Sequence, residues 1–167
     1  QKAQARARAT QALFDATRDF SASADESFIH ERLANHLAAA ARGSALVHAQ
    51  GVTFTAPDDA LAPPQDLLRQ AQALAGGAWP NGVASSFMEG WTLRPLYADG
   101  AALGVAAWRP STGAQHAADE QTLLEILADA GAAAIGRARL AALAAAAQAR
   151  ARTEELRNAL LSSISHD

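Results

Sequence analysis

Between Ala118 and Asp167 the chain contains no proline, and Gly131 and Gly136 are its only helix breakers. Leu123, Leu124, Ile126, Leu127, Ile135, Leu140 and Leu143 therefore belong to one helix, which at 1.5 Å per residue would reach roughly 70 Å. A chain of 167 residues makes one folded domain of ordinary size, and no such domain needs a helix that long. The second half of this helix, from about Arg139, is expected to project out of the domain. Everything else must therefore fold within the residues that precede it.

The preceding residues show two further helical stretches and then a change of period. Residues 1–20 lack Gly and Pro, are rich in Ala, Gln and Arg, and bring their larger apolar residues Leu13, Phe14 and Phe20 late, so the helix is solvated early and anchored late. Asp25 reads as an N-cap before Phe28, Ile29, Leu33 and Leu37, a stripe that Gly43 is expected to stop. Residues 45–48 and 52–55 then read as strands of a hairpin turned at Gly51. Pro63 and Pro64 suit the first turn of a helix over residues 64–75, which Gly76 and Gly77 end. A short strand is expected over 83–88, between Asn81-Gly82 and Gly90. A final hairpin joins Trp91, Leu93 and Leu96 through Asp99-Gly100 to the continuous apolar run 103–108. The order predicts an α+β domain on an antiparallel sheet.

Composition narrows the chemistry. Half the residues are hydrophobic, but 46 are alanine, each buried methyl contributing only about 0.8 kcal/mol. The core must come from the few Leu, Phe and Trp clusters. A net charge of −3 gives no electrostatic footprint for nucleic acid or an anionic membrane surface. The absence of cysteine removes disulfides, thiolate metal sites, cysteine nucleophiles and thioether-linked chromophores. A stand-alone enzyme such as a methionine-sulfoxide reductase, which needs catalytic cysteines, is disfavoured for the same reason. The run 138–151 contains Arg139 and Arg150, is mostly alanine, and falls short of the roughly 20 strongly apolar residues that span a bilayer. The N-terminus lacks the apolar core of a signal peptide. No phosphate loop or paired-carboxylate site is present, and His30, His36 and His116 have no metal-binding spacing with His48.

The last segment is the most specific. Leu156, Leu160 and Ile164 lie at i, i+4 and i+8 on one face, while His166 sits about 200 degrees round from Ile164 and is free to meet solvent. An imidazole nitrogen can attack a γ-phosphate in line, and a neighbouring carboxylate can take or orient the ring proton, so His166 followed by Asp167 is coherent as a phosphoacceptor. The wording from Glu155 to Asp167 resembles the phosphoacceptor box of sensor histidine kinases, especially the potassium-responsive Kdp group. That family's Leu-Arg-Thr-Pro continuation, second dimerisation helix and ATP-binding domain are not among these 167 residues.

The body before it resembles a GAF domain, on Trp91-Thr92-Leu93-Arg94-Pro95-Leu96, Asp99-Gly100 and Leu103-Gly104-Val105-Ala106-Ala107-Trp108. The resemblance implies a GAF-like antiparallel sheet flanked by helices, its long C-terminal helix leading into the kinase dimerisation helix. Residues 1–20 would form a signalling helix, 21–138 the sensory domain, and 139–167 the linker helix and start of the dimerisation domain. It further implies a cytoplasmic domain of an inner-membrane kinase in two-component signalling, phosphorylating a response regulator. This chain alone would have no autokinase activity and no cofactor of its own; ATP and Mg would serve the parent kinase. A small-molecule ligand would find an aromatic wall with one cation in Trp79, Phe87, Trp91, Arg94 and His48, although tryptophans in so aromatic-poor a chain are most simply explained by core and rim packing. His48 is also a conceivable haem ligand. A parallel homodimer through the terminal helices is expected from Leu140, Leu143, Leu156, Leu160, Leu161 and Ile164. Ala147, Arg150, Glu154 and Arg157 interrupt a 3.5-residue seam drawn from Leu140, so pairing should be weak there.

Overall fold

A computed structural model describes residues 1–60, 62–76, 85–112 and 116–166. The elements are α1 (Lys2–Ser21), α2 (Glu26–Ala41), β1 (Gly43–Ala49), β2 (Val52–Ala56), α3 (Gln65–Ala75), β3 (Ser86–Met88), β4 (Trp91–Ala98), β5 (Ala101–Pro110) and α4 (Ala118–Ser165). The strands form one antiparallel sheet in the order β2-β1-β5-β4-β3. Its three hairpins turn on Gln50-Gly51, Glu89-Gly90 and Asp99-Gly100, both residues of each pair having positive φ. That is the two-residue turn whose twist matches antiparallel strands. The expected strand over 83–88 is observed as Ser86–Met88, with Val83 and Ala84 outside the described residues.

Side-chain alternation divides the interior in two. Ala45 and Val47 of β1, Leu96 of β4, and Ala106 and Trp108 of β5 pack against α1, α2 and α4. Leu46, Trp91, Leu93, Val105 and Ala107 pack on the opposite face against Leu67, Ala71 and Leu74 of α3. Central strand β5 is covered on both faces, which is why its sequence is a continuous apolar run and not an alternation.

The three helices on one face have a fixed sense. α2 runs antiparallel to α4: Arg42 pairs with Glu120, Leu33 lies against Gly131, and Glu26 meets Arg139. α1 runs parallel to α4, for Ala5, Arg8 and Ala12 lie near Glu120, Leu123 and Leu127, whereas Phe20 lies near Ala134 and Ala138. The two helical glycines do not break α4. A Cβ on Gly131 would come within 2.5 Å of Leu33, and one on Gly136 within 2.7 Å of the Ala98 methyl. They are contact points of the packing. Gly43 is corrected in the same way: α2 ends at Ala41, Arg42 takes the left-handed cap, and Gly43 opens β1 because a Cβ there would meet the Arg109 carbonyl at 2.0 Å.

Burial along α4 begins at Leu124 and ends at Ala138, and from Leu140 onward the described side chains are exposed. By length and composition α4 is long and apolar enough to cross a membrane, its best window having a mean hydropathy of 1.2. This differs from the reading of residues 138–151. Abundant alanine raises that average, and 33% of the window is buried inside the domain.

Candidate functional site

Of the five residues proposed for an aromatic and cationic pocket, the four that the structure describes do not meet. Trp79 lies outside the described residues. Trp91 is 4% exposed and belongs to the core beneath α3, its indole Nε1 buried without a hydrogen-bond partner. It borders a cleft of about 310 Å³ with Ser44, Pro64 and Arg109. By strand alternation His48 also faces the α3 side. However, His48 pairs with Val105, whereas Trp91 lies one step beyond the Thr92–Trp108 pair. Four residues along β5, about 13 Å at 3.3 Å each, therefore separate their levels, and β5 itself lies between their strands.

His48 is buried in a local pair, its Nδ1 lying 2.7 Å from Thr53 Oγ1 on β2. Burial holds its imidazole below the ordinary histidine value by penalising the charged form. Phe87 lies on edge strand β3, 65% exposed, beside a cleft of about 200 Å³ that includes Thr92, His116 and Gln121.

Arg94 points to the opposite face from Trp91. Its Nε and Nη2 each donate to Asp129 of α4 at 2.9 Å, a bidentate pair, while Nη1 donates to Ser85 at 3.2 Å. Glu125 lies 3.9 Å away. The Asp129 hydrogen bonds chiefly raise the guanidinium pKa, against the opposing effect of burial. Glu125 in turn accepts from Ser85 and from Gln121, which accepts from the Trp108 indole. Arg94 therefore ties the β3–β4 edge to α4. A charged residue in a largely apolar strand signals that some polar partner must exist, but nothing in the sequence singles out Asp129.

A second polar cluster has no sequence signal. Arg139, the last side chain of α4 that the body holds, donates Nε to Glu26 at 2.7 Å and Nη2 to the Leu103 carbonyl at 3.2 Å. His30 lies beneath, 3% exposed, with Nε2 unpartnered at 3.5 Å from the same Glu26 oxygen, and its ring beside Phe54. Burial lowers the His30 pKa most, with Glu26 opposing and Arg139 assisting. Among the described residues no group of three or more His, Cys, Asp or Glu is placed to hold a metal.

At the far end, His166 is the C-cap residue of α4 and is exposed. Leu156, Leu160 and Ile164 are 64%, 58% and 72% exposed, and Asp167 lies outside the described residues.

Among solved structures, the chain resembles the GAF domain of the potassium sensor histidine kinase KdpD from Escherichia coli, with a TM-score of 0.59 and 18% identity. The match covers 81% of this chain and 98% of that domain. No protein-family model matches the sequence, and no curated protein matches it. At this identity the likeness speaks for the fold: the chain has a GAF-like fold, an antiparallel sheet flanked by helices with a long C-terminal helix.

Proposed function

We propose that this chain is the sensory and signal-relay module of a two-component sensor histidine kinase, with His166 as the phosphoacceptor. The observation that carries the reading is the continuity of α4. One unbroken helix is held by the GAF-like body over Leu124 to Ala138 and ends on the His166 segment with its apolar row exposed. A change in how the body grips its half of the helix reaches His166 without any intervening joint. The solved neighbour, itself a GAF domain of a sensor histidine kinase, supports the fold on which the reading rests.

In the reaction proposed for the parent, an imidazole nitrogen of His166 attacks the γ-phosphorus of ATP. The P–N bond forms as the bond to the ADP oxygen breaks, and the displaced ring proton goes to a base, for which Asp167 is the adjacent carboxylate. ATP and Mg would be supplied by a catalytic domain of the parent, and the phosphoryl group would pass to a response regulator. The chain would work as a homodimer in the cytoplasm, below a membrane anchor elsewhere in the parent.

The test is His166→Gln in the intact parent. Labelling from radioactive ATP is expected to disappear while the dimer persists by light scattering, whereas the present chain with ATP and Mg takes no label. A phosphoramidate is acid-labile, so the assay omits an acid quench. Persistent labelling of the Gln variant would overturn the assignment.

A further inference from the structure

Two side chains converge on one carboxylate oxygen where α4 leaves the body. Glu26 Oε1 accepts from Arg139 Nε at 2.7 Å and lies 2.6 Å from Arg139 Nη2, while His30 Nε2 stands 3.5 Å from the same atom without a hydrogen-bond partner. Arg139 reaches that oxygen from α4, whereas His30 reaches it from within α2, one turn on from Glu26. The charged groups that bear on His30 are Glu26, Arg139 and Asp25, and Asp25 is committed to capping α2 through the Ser27 amide. β2 contributes the Phe54 ring, and β5 the Leu103 carbonyl that Arg139 also holds. With the imidazole neutral, Arg139 is the cation that holds the carboxylate.

We propose that a proton on His30 unlatches α4 from the body: the imidazolium takes the Glu26 carboxylate, and a tie between α2 and α4 becomes a pair within α2. Exposure decides which cation leaves. The His30 side chain is 3% exposed and cannot exchange the carboxylate for water, whereas Arg139 is 26% exposed and can hydrate. A buried charge without a partner is costly, and a hydrated one is not. The i, i+4 pair that forms joins two residues of one helix and holds no second element. Arg139, repelled by the imidazolium, keeps one neutral contact, the Leu103 carbonyl at 3.2 Å. Burial chiefly, and Arg139 with it, lower the His30 pKa from 6.5 against the pull of Glu26 and Asp25, so the latch is closed at neutral pH and opens below 6.5. In the open state Arg139 has withdrawn and the ring binds its proton more tightly, so a falling pH favours opening. The inference concerns how the body holds α4, and it stands whether or not His166 accepts phosphate.

Nitrogen-15 NMR of the chain tests it through the Arg139 Nε–H signal, identified by its loss in Arg139→Gln. Exchange with water requires the hydrogen bond to open, so at pH 7.5 this proton should exchange about tenfold or more slowly than that of exposed Arg152, and at pH 5 within about threefold of it. Comparing two arginines at one pH removes the direct effect of pH on exchange. The loss of protection should share its midpoint with the titration of the His30 ring, below 6.5. His30→Gln, which sets a neutral amide near the place of Nε2, should keep Arg139 protected at pH 5. In Arg139→Gln the His30 midpoint should rise, because the coupling between the two groups is reciprocal. Near-ultraviolet circular dichroism follows the folding of the body at each pH. Undiminished protection of Arg139 at pH 5, its loss in His30→Gln as well, separate midpoints, an unmoved His30 midpoint in Arg139→Gln, or unfolding of the whole body in place of a local opening would each overturn the proposal. Should His30→Gln not fold, the wild-type midpoints and Arg139→Gln decide it.

Discussion

Arg94 shows how far a single residue can bind the two sides of this domain together. Its side chain is 12% exposed, and the carboxylates it meets are more open, Asp129 at 51% and Glu125 at 33%. Removing the guanidinium leaves those carboxylates able to hydrate, so Arg94→Ala should cost about 2 kcal/mol, the range of lost charge-assisted hydrogen bonds, and less than a fully buried broken pair. Urea unfolding measures it, and an unchanged midpoint would show that the bidentate pair adds nothing. Gly136 gives a second expectation. Replacing it with Ala adds about 1 kcal/mol of helix propensity, but the new methyl meets Ala98 at 2.7 Å, and overpacking against a β-carbon that cannot rotate costs about 1–3 kcal/mol. Net destabilisation is expected, seen as a lower thermal midpoint. His30 sets a pH dependence. Its folded pKa lies below the usual 6.5, chiefly through burial, so the folded state favours the neutral ring. That contribution is complete above the unfolded pKa near 6.5 and is lost as pH falls below it, levelling off below the folded pKa. Replacing His30 with Phe should flatten the fall in stability between pH 7 and 5.5. His48, shifted the same way, leaves part of the slope in place. An identical slope in the variant would show that His30 does not contribute.

At the scale of elements, most of the architecture was legible because it rests on local rules. The turns at Gly51 and Asp99-Gly100 mark two hairpins, while the third, at Glu89-Gly90, was legible only as a turn; Asp25 caps α2 by accepting from the Ser27 amide at 3.2 Å, and the proline-free tail carries an unbroken helical pattern. The class of fold was legible too, through the Trp91 to Trp108 hairpin. Strand order was not: β1 lies beside β5, a pairing that depends on residues far apart in sequence. Nor were the roles of Gly43, Gly131 and Gly136, since a glycine needed for close approach looks the same in sequence as one that ends a helix. The site residues illustrate the same limit. Trp91 and Arg94 are three apart on a strand and so must face opposite ways, which the sequence already implied. That Arg94 would find Asp129, or Arg139 find Glu26, depends on tertiary packing that no spacing encodes.

Across the whole molecule, the grip of the body on α4 ends at Arg139, where Glu26 and the Leu103 carbonyl hold one guanidinium. Signal relay along an uninterrupted helix depends on angle. One residue inserted near Ala151 turns everything beyond it by about 100 degrees, whereas seven residues restore the face to within roughly 20 degrees. If the proposed parent kinase is as inferred above, the seven-residue insertion should keep its regulated output and the one-residue insertion should lock it on or off. Equal, normal regulation in both would mean that the segment is a tether. The parallel course of α1 and α4 has a separate consequence. A polypeptide that arrives as a helix near Glu120 leaves as a helix past Ala138, still travelling in the same direction. The sheet and α2 are in effect a side loop hung on a rod. Such a loop can be exchanged for another of different chemistry, or excised altogether, without reversing the heading of the two helices that carry it.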